Sequence, residues 1–207
     1  LSVRHIVVIP SSPALIEGVS PHDEGSARLR QAARSILSTR AAAVDSIAVM
    51  RSAAPECRTE LLCSLSAWAP GVELPRAQDG HLLGEIIARL LLGEQEKKIT
   101  ACAEKIEALV HAELVIVLVD GPVTLTERAP GGFHPEAEDA QSFVRELLRG
   151  DSPEQWHYSD LSRAGVLDPA PWMELWELRE QATAQQLLAE DTTGGVGRFV
   201  AEWEMAA

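Results

Sequence analysis

Basic residues are scarce. Eighteen Lys and Arg stand against thirty-one Asp and Glu, for a net charge of -13. A polyanion such as a nucleic-acid backbone, or an anionic membrane surface, would be repelled by such a chain, and no basic patch offsets the repulsion. Long apolar runs are missing too. None approaches the roughly 20 residues that span a bilayer, and no cationic segment leads into a signal-like apolar run, so a cytoplasmic location is expected. The three cysteines, Cys57, Cys63 and Cys102, are odd in number and show no CxxC spacing. They read as reduced, mostly buried thiols on helical segments rather than a zinc site or a disulfide. Catalytic signatures are also lacking. Gly194-Gly195-Val196-Gly197 has neither the dinucleotide nor the Walker spacing and precedes a strand, which makes it a hairpin turn, and no Gly-x-Ser-x-Gly elbow occurs.

What the chain does have is alternation of strand-like and helix-like segments over 207 residues, 46% of them hydrophobic. This suits one α/β domain spanning residues 1–207, a three-layer sandwich around a mostly parallel sheet. The β-branched run at residues 3–9 predicts a first strand buried on both faces, stopped by Pro10-Ser11-Ser12-Pro13. Pro21-His22-Asp23-Glu24 opens a crossover helix with Leu29, Ala33, Ile36 and Leu37 on its inner face. Residues 44–50 predict the second strand. Helices are expected at 56–68, 81–92, 94–111, 136–149, 153–161 and 171–184, with a short strand at 72–74. Within 94–111, Ile99, Cys102, Ile106 and Leu109 fall at helical spacing. Residues 185–190 and 196–203 predict a closing antiparallel hairpin. Trp156, Trp172 and Trp176 are expected to cover the sheet as helix packing.

The densest chemistry follows the third strong strand signal, residues 114–119. There Asp120-Gly121-Pro122 breaks the run and a polar loop begins, ending at His134-Pro135. Ligands of open α/β sheets bind at the carboxyl ends of the strands, so this is the first place to look for a site. Ser11, Ser12, Arg51, Asp120, Glu127 and Arg128 would gather there into a polar cleft, and Arg51 with Arg128 could grip a small carboxylate or phosphate. Alternatively, Glu127 and Arg128 pair with neighbours and simply hold the loop. His134 reads as a relocated ligand or base, or as a turn residue bonded to backbone. His22 reads as a cleft-rim group or a helix-start residue.

In the order and spacing of its elements the chain resembles the B-subunit-like (LigB-like) group of class III extradiol ring-cleavage dioxygenases. The residues that carry the likeness are Asp120-Gly121, Glu127-Arg128-Ala129-Pro130-Gly131, Pro135, Gly150-Asp151 and Ala170-Pro171-Trp172. The tail adds Leu187-Leu188 leading to Asp191, Gly195-Val196-Gly197, Phe199-Val200-Ala201 and Trp203. The resemblance implies a non-heme Fe(II) held by two His and one carboxylate, with a further His as acid and base. This chain departs from that pattern. Ser11 stands where the first imidazole is expected, Arg51 where the second is, and no His follows Asp120. A guanidinium cannot ligate a metal. The expectation is a LigB-like protein without a catalytic or metal set of its own, binding a small polar or anionic molecule or a protein partner. The alternative is a divergent Fe(II) dioxygenase using His134 or His22 with Asp120 or Glu127 on a catechol. An oligomer-forming subunit that modifies a catalytic partner is a third reading.

Overall fold

The computed structural model describes residues 3–58 and 82–206. Its centre is a six-stranded sheet in the order β3-β2-β4-β1-β6-β5. Four parallel strands form one side: β1 (His5–Ile9), β2 (Ile47–Met50), β3 (Ile99–Ala103) and β4 (Leu114–Leu118). The hairpin of β5 (Ala182–Asp191) and β6 (Arg198–Met205) joins antiparallel, β6 pairing with β1.

Strand alternation explains why the inner strands read as continuous apolar runs. Val7 and Ile9 of β1, Ile47 and Val49 of β2, and Ile116 and Leu118 of β4 enter one core. Ile6 and Val8, Ala48 and Met50, and Val115 and Val117 enter the other. With both faces covered, neither set can be polar. The first core is closed by α1 (Glu24–Ala42) and α2 (Leu83–Leu92), through Leu29, Ala33, Leu37, Ile86 and Ile87. The second is closed by α3 (Ala137–Arg149), α4 (Tyr158–Arg163) and α5 (Ala170–Leu178), through Phe143, Val144, Leu147, Leu161, Trp172 and Leu175. The three-layer α/β arrangement with an antiparallel C-terminal hairpin is thus observed. Among the described residues no helix is long and apolar enough to cross a membrane.

Local signals set the helix ends. Asp23, not His22, caps α1, accepting the Ser26 N–H at 3.0 Å and the Ser26 hydroxyl at 2.6 Å. Gly150 closes α3 in the left-handed conformation (φ 82°), which costs a glycine nothing sterically. At the hairpin turn Gly194 and Gly195 both have positive φ, as expected of a turn rather than a phosphate loop.

Three helical expectations fail. Residues 94–111 are not a helix: a 3₁₀ segment, Gly93–Lys98, leads into β3, and a second, Ile106–Leu109, follows it. Ile99, Cys102, Ile106 and Leu109 do face inward or pack on the cores, but pairing of β3 with β2 overrides their helical spacing. Cys102 therefore lies on a strand. The helix expected at 171–184 ends at Leu178, and a 3₁₀ turn (Arg179–Gln181) feeds β5 three residues earlier than the expected strand. The helix expected at 153–161 is confined to α4, which begins only at Tyr158. A 3₁₀ turn, Pro55–Cys57, starts where the 56–68 helix was expected. The remainder of that segment, the 72–74 strand, Cys63 and His81 lie outside the described residues.

Candidate functional site

The parallel strands release their chains on one side of the sheet, and the released segments enclose a cleft of about 420 Å³. Ser11 enters it after β1, Ser52, Ala53, Ala54 and Cys57 after β2, Glu104 and Lys105 after β3, and Asp120 and Gly121 after β4. Leu118 and Val119 form the floor of the strand end, and Leu167, Asp168 and Ala170 close the side nearest α5. Leu167 is 80% exposed, an apolar side chain held at the protein surface.

Asp120 lines the cleft just beyond the end of β4. Its Oδ2 accepts the Ser11 hydroxyl at 2.5 Å, a contact between residues 109 positions apart that exists because β1 and β4 are direct neighbours. Its backbone carbonyl accepts the Trp172 indole N–H at 3.0 Å, so the buried Trp172 of α5 fixes the main chain at this point. Gly121 follows at once, its N–H donating to the Gly197 carbonyl at 2.7 Å while the Gly197 N–H donates to Pro122 at 2.9 Å. A side chain at Gly121 would strike Phe199 and Gln141, which is why glycine stands beside the aspartate. The other carboxylate oxygen, Oδ1, is enclosed and has no hydrogen-bond partner. Burial is the main influence on this carboxyl and pushes its pKa up, against the Ser11 hydrogen bonds and the charge of Arg198. Asp168 is shifted the same way by burial, opposed by the Ala170 N–H that it accepts and reinforced by Glu104.

The expected site residues divide. Ser11 and Asp120 meet in the cleft. Ser12 turns away to cap the 3₁₀ segment Pro13–Leu15, accepting the Ala14 N–H at 3.3 Å. Arg51 is outside the cleft lining, donating through Nε to Glu85 of α2 at 3.2 Å, with Gly84 giving room for its Cβ. Glu127 and Arg128 are exposed and also stand outside the lining. His134 is a turn residue: its N–H donates to the Thr124 carbonyl at 3.0 Å and its Nδ1 accepts the Glu136 N–H at 3.3 Å. His22 is exposed. The polar loop after Asp120 is thus mostly a tied-down surface segment, with Gly131 N–H on Val123 and Leu125 N–H on Gly195. The two arginines expected to grip an anion are not brought together.

Glu104, Lys105, Ser52, Cys57 and Asp168 line the cleft without having been anticipated. Glu104 and Lys105 escaped because their strand, β3, read as helix. Recognising Ile99-Thr100 as a β-branched strand start would have placed them at a strand end. Asp168 directly precedes Pro169-Ala170-Pro171, a helix-start signal that could have marked it.

An Fe(II) centre of two His and one carboxylate does not fit this lining. Among the described residues no histidine faces the cleft, and its donors are carboxylates, hydroxyls, one thiol and one amine. The described residues that do cluster as metal donors are His5, Glu202 and Glu204, at the opposite end of β1. There the Arg40 guanidinium pairs with Glu202 and, at 2.8 Å, with Glu204, so a fixed cation already holds both carboxylates. Burial and Arg40 push the His5 pKa down.

No protein-family model matches this chain, and no curated protein matches it in sequence.

Proposed function

We propose that this protein is a non-catalytic member of the extradiol dioxygenase B-subunit-like (LigB-like) group that binds a small polar molecule in the cleft at the strand ends. The observation that carries the reading is the Ser11–Asp120 pair. It occupies the place where the family resemblance calls for a metal-binding imidazole, and it leaves one carboxylate oxygen enclosed and unpartnered at the cleft. Buried polar atoms are almost always satisfied, and an exception at a pocket is best accounted for by a bound group. The volume, about 420 Å³, suits a small molecule rather than a peptide segment. The Asp-Gly turn and the closing hairpin, on which the resemblance rests, both support the binding side: the turn supplies Asp120 and Gly121, and Gly197 of the hairpin turn bonds both to Gly121 and to Pro122.

The divergent-dioxygenase reading is tested together with this one. The purified chain is loaded anaerobically with Fe(II), passed through a desalting column, and given protocatechuate and O2. The expected outcome is that no stoichiometric iron is retained and no ring-cleavage chromophore forms. Iron retained at one equivalent together with turnover of the catechol would overturn the proposal.

A further inference from the structure

We propose that the ligand of the strand-end cleft is a small organic cation, an ammonium group on a short apolar body, with the ammonium seated against Asp120. This rests on the reading of the cleft as a binding site and adds the charge of what it binds.

The charge of the lining points this way. Glu104, Asp120 and Asp168 bring three carboxyl groups to the cleft, while Lys105 is the one Lys or Arg among its described lining residues. The two arginines expected to grip an anion stand elsewhere. Arg51 is tied to Glu85 outside the cleft, and Arg128 is exposed and does not reach it. The start of α5 is no free anion site either, because the Asp168 carboxyl stands beside it, two residues before Ala170.

The geometry of Asp120 adds a second, independent argument. Its Oδ2 is held by Ser11 at 2.5 Å, which fixes the orientation of the carboxyl, and Oδ1 is left enclosed without a donor. An ionised carboxylate only accepts, so the group that completes it must donate. A charged N–H donor supplies both the hydrogen bond and the countercharge, and such bonds are roughly twice as strong as neutral ones. Desolvation raises the proton affinity of both Asp120 and Asp168 in the unliganded protein, and an adjacent cation reverses that tendency. Around these groups Leu118, Val119, Ala53, Ala54 and Leu167 give apolar wall to the rest of the ligand.

The test uses the full ¹⁵N-labelled chain and three probes of equal size: benzylamine, benzyl alcohol and benzoate. Benzylamine is expected to shift the amides of Ser11, Ala53 and Gly121 and to bind at least about tenfold more tightly than either other probe, the effect of one charge-assisted hydrogen bond. Asp120→Asn is expected to reduce benzylamine to the affinity of benzyl alcohol with the amide spectrum still that of the folded protein. Should that variant not fold, Asp168→Asn carries the same test, with benzylamine weakened and benzyl alcohol unmoved. If benzyl alcohol or benzoate binds at these amides as tightly as benzylamine, the cation assignment is overturned and the cleft remains a binding site. If none of the three shifts these amides, the assignment and the binding reading both fall.

Discussion

Arg198→Met tests the link between the hairpin and the rest of the fold. Arg198 lies at the start of β6 and is only 5% exposed, as is its partner Asp191 at the end of β5. Its guanidinium donates to the Ser26 hydroxyl at 2.5 Å, to Asp23 at 3.2 Å, to the Thr193 carbonyl at 3.4 Å and to Asp191. One side chain therefore ties the cap of α1 to both ends of the hairpin turn. Methionine fills the stem volume but leaves Asp191 with Arg28 as its one ion-pair partner among the described residues, and Arg28 is largely exposed and 3.4 Å away. Breaking a buried pair from one side costs about 3–5 kcal/mol, because the remaining charge is uncompensated. For a chain of this size that corresponds to a fall in Tm of roughly 6–20 °C. Urea unfolding followed by tryptophan fluorescence measures it. Adding Asp191→Asn should recover a large part of the loss: an amide oxygen in the place of Oδ2 still accepts the Thr193 N–H (3.0 Å), and the amide NH2 in the place of Oδ1 donates to the Thr193 hydroxyl (2.9 Å), without a buried charge. A single-variant loss below about 1 kcal/mol, the range of exposed ion pairs, would refute the reasoning.

Two further outcomes follow from the shifted groups. Because burial raises the folded-state pKa of Asp120, the native protein holds this proton more tightly than the unfolded chain, and its contribution to stability is full below the unfolded pKa of about 3.9 and lost as pH rises through the folded value. Asp23 and Glu190 run the other way: burial acts on each, but the Ser26 bonds and Arg198 for one, and Arg145 and Gln141 for the other, bring them below their usual range. Their stabilisation is present above the unfolded pKa and lost on acidification. Urea midpoints of wild type and Asp120→Asn across pH 4 to 8 should therefore diverge in favour of the variant as pH rises, and a constant gap would contradict the assignment. Cys102, pushed up to about 11 chiefly by burial and then by Glu85, should carry a thiolate fraction on the order of one in a thousand at pH 8. Alkylation followed by peptide mass spectrometry should find it slow until urea is added, and rapid labelling of the native chain would count against the raised pKa of this half-buried thiol.

By itself the sequence determined the layers. Runs such as residues 114–118 and 6–9 are apolar at every position, a pattern that survives only where both sheet faces are covered, and the capping residues Asp23 and Gly150 mark their helix ends through local backbone chemistry. Ser11 and Asp120 were legible as cleft residues for the same reason, since each stands two residues beyond the end of a strand with an unambiguous apolar run. Tertiary structure decided the rest. Residues 99–103 have the spacing of a helix and the conformation of a strand because β2 offers them a pairing edge, and no window of neighbouring residues contains that edge. With β3 misread, Glu104 and Lys105 could not be placed at a strand end. Arg51 went to Glu85, and Arg128 went to the surface, because partner choice for a long cation depends on which carboxylates the packed helices and loops bring within reach. The sign of the cleft's charge was therefore settled by packing between distant segments, whose geometry arises only when the sheet is assembled.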